Sequence, residues 1–376
     1  MKIALIHNLK KGGQHRALYE EIKILSKKHV IDIYTLSTSD NSYFPFKDYV
    51  HKEVILKFDP PSHFPGSVIS IYASLPFIYK EMAEEVEKGK YDIAYVNPDY
   101  LTQSPYILRY LKIPSLYHCA EVKREFYENI PRKSKIFNYY ITLPFRLPIK
   151  WIDKRNAQNA LKIMVNSRFS KSVVDSVYHT QAIVNHLGVD TDIFKNLSLP
   201  KKNQVLSVGT FSLLKGHDFI IRSLSLLPKE VRPKLVIVGQ GGLEKNYLLN
   251  LAKSLSVDIE IKEDIKEDEL VRVYNESKAY LFASLKEPFG LTLLEASACG
   301  TPVVSVNEGG ASEILKNMPN AIFVKRDEKD FSEIILSILK EIHQKDSKKQ
   351  IEKVVSEWSW KSHIERLEGI MKGIKI

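Results

Sequence analysis

The 376-residue chain has only two cysteines, Cys119 and Cys299, which lie far apart in apolar contexts. This usage predicts buried free thiols in a reducing compartment rather than a disulfide framework. No Cys/His cluster has the spacing of a zinc site. A chain of this length buries about three quarters of its surface on folding, so it needs neither a disulfide nor a metal to be stable.

Long apolar runs are also scarce. After Met1 and Lys2, an apolar run of only four residues, 3–6, precedes His7. This run is too short for a signal-peptide core. The longest charge-free run, 60–79, contains four prolines and four serines and is a poor membrane span. A content of 44% hydrophobic and 27% charged residues is that of a globular protein and excludes disorder, collagen and coiled coil. The sequence predicts a cytoplasmic protein.

The net charge of +10 is concentrated in one stretch. Residues 123–171 hold 12 basic and 3 acidic side chains, a net charge of +9. Over residues 123–155 the cations alternate with large rings such as Phe126, Tyr139 and Trp151. This mixture suits an anionic membrane surface, where each cation contributes about 1 kcal/mol, and it also suits a solvated helix face over an ordinary core. We keep both interpretations and expect no nucleic-acid partner, although nucleic acid would use the same residue types.

Short apolar segments alternate with amphipathic segments along the whole chain. Strands are predicted at 2–7, 30–35, 93–96, 115–118 and 162–165 in the first half, and at 204–208, 234–238, 258–261, 279–282 and 302–306 in the second. This alternation is typical of parallel sheets covered on both faces. The segment 186–200 is predicted to link the halves. We therefore predict an α/β protein of two Rossmann-like domains, whose ligands bind in the cleft between them, beyond the carboxyl ends of the strands.

Glycine-bearing turns follow several predicted strands. Gly12 and Gly13 follow the first strand and precede a helix, an arrangement in which the backbone can approach an anion closely. The third glycine of the dinucleotide fingerprint is absent, which disfavours an NAD-dependent dehydrogenase. Gly209 and Thr210 end a strand of the second half, and Lys215, which opens the next helix, can reach a phosphate there.

The most specific segment runs from Glu287 to Glu295. Gly290 permits a sharp entry into a helix predicted over Leu291–Ala298, whose first N–H groups can hold a diphosphate. Glu287 precedes that helix and Glu295 lies about one turn inside it. Two carboxylates placed in this way can accept hydrogen bonds from two different polyols at once.

The pattern Glu287-Pro-Phe-Gly-Leu…Glu295, with seven residues between the glutamates, resembles the signature of the family 4 retaining glycosyltransferases. Further segments resemble motifs of the same family: 166–170, 186–190, 300–304, 309–313, and 358–360 with the terminal helix. The resemblance implies a GT-B fold. In that fold two Rossmann-like domains, 1–187 and 198–356, face each other across an active-site cleft, and a C-terminal helix within 357–376 packs back on the first.

The resemblance also implies roles for single residues. Lys215 would contact the donor diphosphate, Glu287 the hydroxyls of the transferred sugar, and His118 a position near the 6-hydroxyl of that sugar; these are the implied catalytic residues. Glu295 would bind the donor ribose. The residues implied to surround the donor are Gly12, Gly13, Gly209, Thr210, Lys215, Ile265, Phe289, Gly290, Leu291 and Glu295.

The implied activity is retaining transfer of a hexose, of the mannose or glucose type. The donor would be a UDP- or GDP-linked sugar, and the acceptor a hydroxyl of a glycan or of a lipid-linked molecule. Residues 123–155 would dock the protein peripherally on the inner face of the cell membrane. The resemblance implies no metal or other cofactor, and Asp190-Thr191-Asp192 lies in the linker rather than after a core strand.

Two departures from the family pattern keep alternatives open. Thr210 stands where family members usually carry arginine. Three outcomes are open: Lys215 alone holds the diphosphate, another cation such as Lys286 or Lys11 replaces the arginine, or activity is lost. The loop around Ile265 lacks the usual glycine. The alternatives are a soluble sugar-nucleotide enzyme acting on a small sugar or sugar phosphate, and a basic binding module whose catalytic apparatus has decayed.

Overall fold

The computed structural model describes residues 1–131, 133, 136–340 and 347–374. These residues form two units. The first unit comprises Met1–Asn129, Phe137–His186 and Trp360–Ile376, and the second comprises Ile130–Ile136 and Leu187–Ser359. Arg132 and Lys135, two cations of the basic stretch, lie outside the described residues.

The first unit is built around a parallel sheet. Its strands are β1 (Lys2–Asn8), β2 (Val30–Leu36), β3 (Lys52–Leu56), β4 (Ile93–Asp99), β5 (Ser115–His118), β6 (Lys162–Val165) and β7 (Ile183–Val184). They lie in the order β3-β2-β1-β4-β5-β6-β7. β1 is therefore flanked by β2 and β4, and Leu5 is level with Ile33 on one side and with Tyr95 on the other.

The second unit contains a second parallel sheet. Its strands are β8 (Gln204–Val208), β9 (Lys234–Val238), β10 (Ile259–Lys262), β11 (Ala279–Phe282), β12 (Val303–Val306) and β13 (Ala321–Val324). The order is β10-β9-β8-β11-β12-β13. Two parallel α/β sheets are what the alternating sequence predicts, so the predicted fold class is confirmed at this level.

Helices connect the strands of both sheets. They are α1 (Gly13–Leu25), α2 (Gly66–Ala73), α3 (Leu75–Lys88), α4 (Ile136–Ala157), α5 (Arg168–Tyr178), α6 (His217–Ser225), α7 (Lys245–Ser254), α8 (Glu267–Glu276), α9 (Leu291–Ala298), α10 (Ala311–Leu315), α11 (Glu328–Lys340), α12 (Ser347–Glu357) and α13 (Trp360–Lys372). Their starts follow local chemistry. The Ser167 hydroxyl accepts a hydrogen bond from the Ser170 amide at the start of α5, and the first turn of α8 is acidic. Within the described residues, no helix is both long and apolar enough to cross a bilayer.

The first sheet is buried on both faces. Ile3 and Leu5 of β1 belong to one hydrophobic cluster, whereas Ala4 and Ile6 belong to another. Successive side chains of a strand point to opposite faces, so each face of β1 is covered. A strand covered on both faces consists of consecutive apolar residues, which explains the run at the start of the sequence. Both cysteines are buried and free, as predicted.

The last helix packs on the first unit, as the resemblance implies. Apolar residues of α13 join the cluster that contains Ile3 and Leu5. These residues are Ile364, Leu367 and Met371. His363 of the same helix is buried, and its Nε2 lies 2.9 Å from Oε1 of the buried Glu21 on α1. Helix α13 therefore packs into the same hydrophobic core as strand β1.

Two buried histidines of the first unit lie next to each other. The rings of His7 on β1 and His15 on α1 lie 5.4 Å apart, and both side chains are buried. Burial lowers the pKa of His15 to about 4 and the pKa of His7 well below its usual value. Both rings are therefore neutral in the folded protein at pH 7.

We expect protonation of His15 in the unfolded chain to lower the free energy of unfolding by about 2 kcal/mol between pH 7 and pH 5. The unfolded chain binds a proton at this histidine near pH 6.5, whereas the folded chain does not until about pH 4. Urea unfolding at the two pH values measures the difference. His15→Leu should flatten the pH dependence, and the same substitution at the exposed His63 serves as the control. An unchanged slope in His15→Leu would contradict the assignment.

Candidate active site

The second sheet has its topological switch point between β8 and β11. From β8 the chain adds β9 and β10 on one side and then returns to add β11, β12 and β13 on the other. Ligands of open α/β sheets bind beyond the carboxyl ends of the strands at such a point. The loops that follow β8 and β11 carry Lys215 and Glu287, two of the predicted catalytic residues.

Lys215 and Glu287 meet across this switch point. Lys215 Nζ lies 2.7 Å from Glu287 Oε2, within direct ion-pair distance. The two side chains keep 28% and 17% of their surface exposed, so the pair is accessible to a ligand. The stem of Lys215 packs on Gly209, where an added Cβ would come within 2.9 Å of Lys215 Cγ. The structure thus brings Gly209, Lys215 and Glu287 together.

The loop that carries Glu287 is held from two sides by backbone contacts. On one side, the Leu285 amide donates to the Leu214 carbonyl at 2.8 Å. On the same side Gly216 has a φ of 68°, and a Cβ there would lie 2.1 Å from the Ala283 carbonyl oxygen, so only glycine fits. On the other side, the Gly310 amide donates to the Glu287 carbonyl at 2.7 Å. Glu287 therefore lies on a fixed frame.

Helix α9 begins at Leu291 and ends at Ala298, as the sequence predicts. Gly290 precedes it with a φ of 103°, which glycine adopts without strain. One turn inside, Glu295 is only 4% exposed, and its Oε2 accepts a hydrogen bond from the Tyr274 hydroxyl at 2.9 Å. Phe289 is buried with its ring 6.0 Å from that of Trp358, so it offers its backbone rather than its side chain to a ligand.

The remaining predicted donor residues of this unit lie at the same edge of the sheet. Thr210 is exposed two residues after β8, and its carbonyl accepts a hydrogen bond from the Ser212 amide at 2.8 Å. Ile265 is half-buried in the loop between β10 and α8. Because β10 lies two strands away from β8, Ile265 lies to one side of the Lys215–Glu287 pair.

His118 lies at the end of β5 in the first unit, where it is buried in a hydrogen-bond network. Its Nδ1 lies 2.8 Å from the Tyr95 hydroxyl, which in turn donates to Glu21 at 2.7 Å. Its Nε2 lies 2.6 Å from Asn166 Oδ1. Burial lowers the pKa of His118, which favours the neutral ring. Both ring nitrogens are thus engaged by protein side chains, and these partners are too far away in sequence to be predicted.

Gly12 and Gly13 lie at the start of α1, after β1. Both are exposed. A Cβ on Gly13 would meet nothing within 4 Å, and one on Gly12 would meet only the Lys10 carbonyl oxygen at 4.0 Å. Packing therefore does not require glycine here, and the open side of the turn is available for close approach of a ligand to the backbone.

Arg326, which sequence reasoning missed, ties two loops of the site together. It follows β13, and its Nη2 donates to the Ala283 and Ser284 carbonyls at 3.0 and 3.3 Å. It also binds both oxygens of Glu308, at 2.7 and 2.9 Å. A single guanidinium thus joins the loops after β11 and β12, a use that suits its planar fork. Over residues 1–131, 133, 136–340 and 347–374, no group of three or more His, Cys, Asp or Glu is placed to hold a metal ion.

Residues 189–354 match the family model described as Glycosyl transferases group 1. An uncharacterized glycosyltransferase of Methanocaldococcus jannaschii is 34% identical over 125 residues, which are 33% of this chain and 32% of that protein. A D-inositol 3-phosphate glycosyltransferase of Rhodococcus jostii is 32% identical over 134 residues, which are 33% of this chain and 30% of that protein. The chain thus spans about a third of the length of these curated relatives.

The solved structure of Anabaena HepE in complex with UDP and glucose covers 100% of both chains with a TM-score of 0.77 and 15% identity. Residues 189–354 are thus similar to group 1 glycosyltransferases. The likeness to HepE shows the fold, which is of the GT-B type. In this glycosyltransferase fold, the Lys215–Glu287 pair and α9 belong to the segment that the family model covers.

We expect Arg326→Gln to lower the free energy of unfolding by about 1–2 kcal/mol, because it removes hydrogen bonds from a charged donor and leaves Glu308 unpaired. Binding of the nucleotide donor that the resemblance implies should weaken as well, since the loop that bears Glu287 loses its hydrogen bonds to Arg326. Urea unfolding and calorimetric titration measure the two effects. Lys325→Gln removes the same charge from the exposed neighbouring position and should change neither. Equal behaviour of the two variants would contradict a positioning role.

Proposed function

We propose that this chain is a retaining glycosyltransferase. It moves a hexose, of the mannose or glucose type, from a nucleotide-sugar donor to a hydroxyl of a glycan or lipid-linked acceptor at the cytoplasmic membrane face. The observation that carries the proposal is the Lys215–Glu287 pair, 2.7 Å apart at the switch point of the second sheet. The helix start at Leu291 and the buried Glu295 lie on the same connection.

The chemistry of the transfer explains why these groups are needed together. Breaking the bond between the anomeric carbon and the diphosphate leaves positive charge on the sugar and negative charge on the diphosphate oxygen. The Lys215 ammonium stabilises that oxygen, together with backbone N–H groups at the start of α9. The carboxylate of Glu287 accepts hydrogen bonds from sugar hydroxyls, and Glu295, oriented by Tyr274, accepts them from the donor ribose.

Retention follows from attack on the face from which the diphosphate departs. The acceptor oxygen forms a bond to the anomeric carbon as the bond to the diphosphate oxygen breaks. The acceptor proton passes to a phosphate oxygen of the leaving group. No side chain of the protein has to become covalently attached to the sugar in this sequence of events.

The donor is proposed as a UDP- or GDP-linked sugar. UDP is the first nucleotide to test, because HepE, which shares the fold, binds UDP and glucose in its crystal structure. Thermal melting against UDP, GDP, ADP and their sugar conjugates measures the choice, since a ligand at 100 times its Kd adds about 2.7 kcal/mol of stability. A shift selective for one base supports the proposal. No shift with any nucleotide would favour the binding module whose catalytic apparatus has decayed, and Thr210 in place of arginine would then be a sign of the lost donor site.

We expect Lys215→Ala to lower kcat/KM for transfer. The expected loss corresponds to about 2–4 kcal/mol of transition-state stabilisation, which is the cost of deleting one preorganised donor. Kinetics with the donor found by melting measure the loss. Lys229→Ala, at an exposed position of the same unit, is the matched control and should retain full activity. Near-normal kcat/KM in Lys215→Ala would show that Lys215 does not stabilise the diphosphate.

We also propose that α4 docks the enzyme on an anionic membrane. Apolar side chains of this helix remain between 50% and 75% exposed. They are Phe137, Tyr140, Ile141, Phe145, Leu147 and Trp151. The surface continues beyond α4, since the Phe145 ring lies 5.0 Å from that of Phe64, and the Tyr72 hydroxyl on α2 donates to the Phe145 carbonyl at 2.5 Å. Exposed apolar side chains grouped along one helix in this way are typical of an interaction surface.

The other face of α4 anchors the helix. Ile149 and Ile152 belong to the core of the first unit. The buried Asp153 accepts hydrogen bonds from Ser104 and from the Tyr178 hydroxyl, and burial raises its pKa to about 6. The exposed side chains are not part of this core, and we expect their replacement to leave the protein folded.

Fewer cations accompany this surface than the sequence count indicates. Arg146 pairs with Glu125, and Arg124 pairs with Glu128 at 2.9 Å. The exposed cations of α4 include Lys150 and Arg155. We therefore propose that docking depends mainly on insertion of the apolar side chains of α4 into the membrane. A smaller number of cations would add to the binding.

We expect Phe137→Ser with Phe145→Ser to weaken binding to vesicles of mixed neutral and anionic lipid by at least about tenfold, because two large apolar side chains no longer enter the interface. Co-sedimentation at low and high salt measures binding. Leu226→Ser, which replaces a comparably exposed side chain of the second unit, should bind as wild type. Failure of the wild-type protein to bind would favour the soluble sugar-nucleotide enzyme.

A further inference from the structure

We propose that Glu21 is a positioning residue for the glycosyl transfer and that it acts by fixing a proton on Nδ1 of His118. The inference rests on the proposed function and on the predicted place of His118 near the transferred sugar. It adds to that function the buried groups behind the histidine, all of which belong to the first unit. These groups form a chain of hydrogen bonds that is compatible with one arrangement of protons.

Glu21 is a carboxylate enclosed in the interior of the first unit. Its side chain is fully buried on α1, where an ionised group is costly unless partners hold it. Burial alone would raise the pKa of Glu21, but two histidines and a tyrosine more than offset this effect, so that the pKa lies below its usual value. They are His118, His363 and Tyr95. Glu21 is therefore ionised at pH 7, and its two oxygens can only accept hydrogen bonds.

His363, on α13, supplies a positive charge that balances Glu21. Its Nδ1 lies 2.8 Å from the His186 carbonyl oxygen, which can only accept, so Nδ1 is the donor. Its Nε2 lies 2.9 Å from Glu21 Oε1. Because an ionised carboxylate also only accepts, Nε2 carries a hydrogen as well. The ring is thus an imidazolium whenever Glu21 is ionised, and the two form a buried ion pair.

The Tyr95 hydroxyl transmits this constraint from Glu21 to His118. Tyr95 is fully buried on β4, and burial together with Glu21 raises the pKa of its hydroxyl well above the usual value, so the hydroxyl keeps its hydrogen. It donates that hydrogen to Glu21 Oε2 at 2.7 Å. The same hydroxyl oxygen lies 2.8 Å from His118 Nδ1, and its only hydrogen is already engaged. Nδ1 of His118 must therefore be the donor, and it carries a proton.

The second ring nitrogen of His118 is left as an acceptor. Burial lowers the pKa of His118, and a second buried cation would have to share the charge of Glu21 with His363. The ring is therefore neutral, with its lone pair on Nε2, which lies 2.6 Å from the side-chain amide of Asn166. A half-turn of that amide exchanges its oxygen and its NH2 group and supplies the matching donor. An acceptor at Nε2 is complementary to a sugar hydroxyl, which can donate.

Stability alone does not account for this chain of polar groups. Ile22 and Ile364, the chain neighbours of the two charged residues, belong to the same hydrophobic cluster as Tyr95. Replacing a buried ion pair by apolar residues of similar volume often leaves a protein equally stable or makes it more stable. The polar chain is better explained by its effect on His118, the residue at which it ends.

Nitrogen-15 NMR of the imidazole rings in the full chain tests the position of the proton directly. The signals of His118 are those that His118→Gln removes. At pH 7 we expect a hydrogen on Nδ1 and none on Nε2 in the wild type. Glu21→Gln should keep this arrangement, because its amide oxygen still accepts from Tyr95. A wild-type His118 with its hydrogen on Nε2, or on both nitrogens, would overturn the proposal.

Two further variants should displace the proton. In Glu21→Leu the Tyr95 hydroxyl is free to donate to His118 Nδ1, so the ring hydrogen should move to Nε2. In Tyr95→Phe a hydrogen on Nδ1 would lose its acceptor, which disfavours the same form. An unchanged proton position in both variants would contradict transmission through the hydroxyl.

Transfer kinetics of these variants, with the donor identified by melting, test the role in the reaction. We expect Glu21→Leu and Tyr95→Phe to lower kcat about tenfold, the scale of one hydrogen bond, and Glu21→Gln to retain most of it. Glu20→Gln is the matched control. It removes the neighbouring carboxylate, which pairs with Lys23 at 3.2 Å, and should change neither kcat nor the proton position.

The outcomes separate this role from the proposed function. Wild-type kcat in Glu21→Leu would overturn the positioning role. An equal loss of kcat in Glu21→Leu and Glu21→Gln would overturn it too, because the effect would then follow the charge rather than the hydrogen-bond chain. A wild-type chain that binds no nucleotide would count against the glycosyltransferase itself, and would overturn the role of Glu21 with it, whatever the position of the proton.

Discussion

Parallel pairing of β8 with β11 places side by side the ends of two strands that are far apart in sequence. The loops that leave these ends are pressed together by main-chain contacts, such as the Leu285 amide on the Leu214 carbonyl. Only because of this pairing can the Lys215 ammonium meet the Glu287 carboxylate. The helix start at Leu291 and the buried Glu295 follow the end of β11, and Arg326 fixes the same loop from the side of β12.

The sequence predicts the interior of this fold better than its margins. Every strand predicted from an apolar run is present, whereas β3, β7 and β13 were missed. All three are edge strands. An edge strand is partly exposed and need not be a continuous apolar run, as the exposed lysine and glutamate of β3 illustrate. The periodic signal on which the prediction depends is therefore weakest where a sheet ends.

The candidate site divides in a similar way. Local motifs locate Gly209, Lys215, Glu287 and Gly290, because each lies within eight residues of a predicted strand end. They do not reveal Arg326, a single cation after a missed strand, whose role depends on carbonyls some forty residues earlier in the chain. His118 was predicted as a sugar contact from its place after β5. The structure adds that Tyr95 and Asn166 hold its ring, and its role toward a sugar stays a prediction.

Charge counting illustrates a different limit. The excess of +9 over residues 123–171 is a property of composition, but the surface it produces depends on which partners the cations find. Ion pairs within the stretch neutralise two arginines, while the apolar side chains of α4 remain exposed. Pairing of this kind depends on the folded geometry and has no signature in the order of residues.

The return of α13 has a consequence for the order in which the chain can fold during synthesis. The cluster around Ile3 and Leu5 also contains Ile364 and Leu367, which leave the ribosome after the residues of the second unit. The second unit is complete by Ser359, before α13 has been made. The amino-terminal sheet must therefore wait, with part of its apolar surface uncovered, while the later unit becomes able to fold first. The usual order of folding from the N-terminus is thus reversed for the final step.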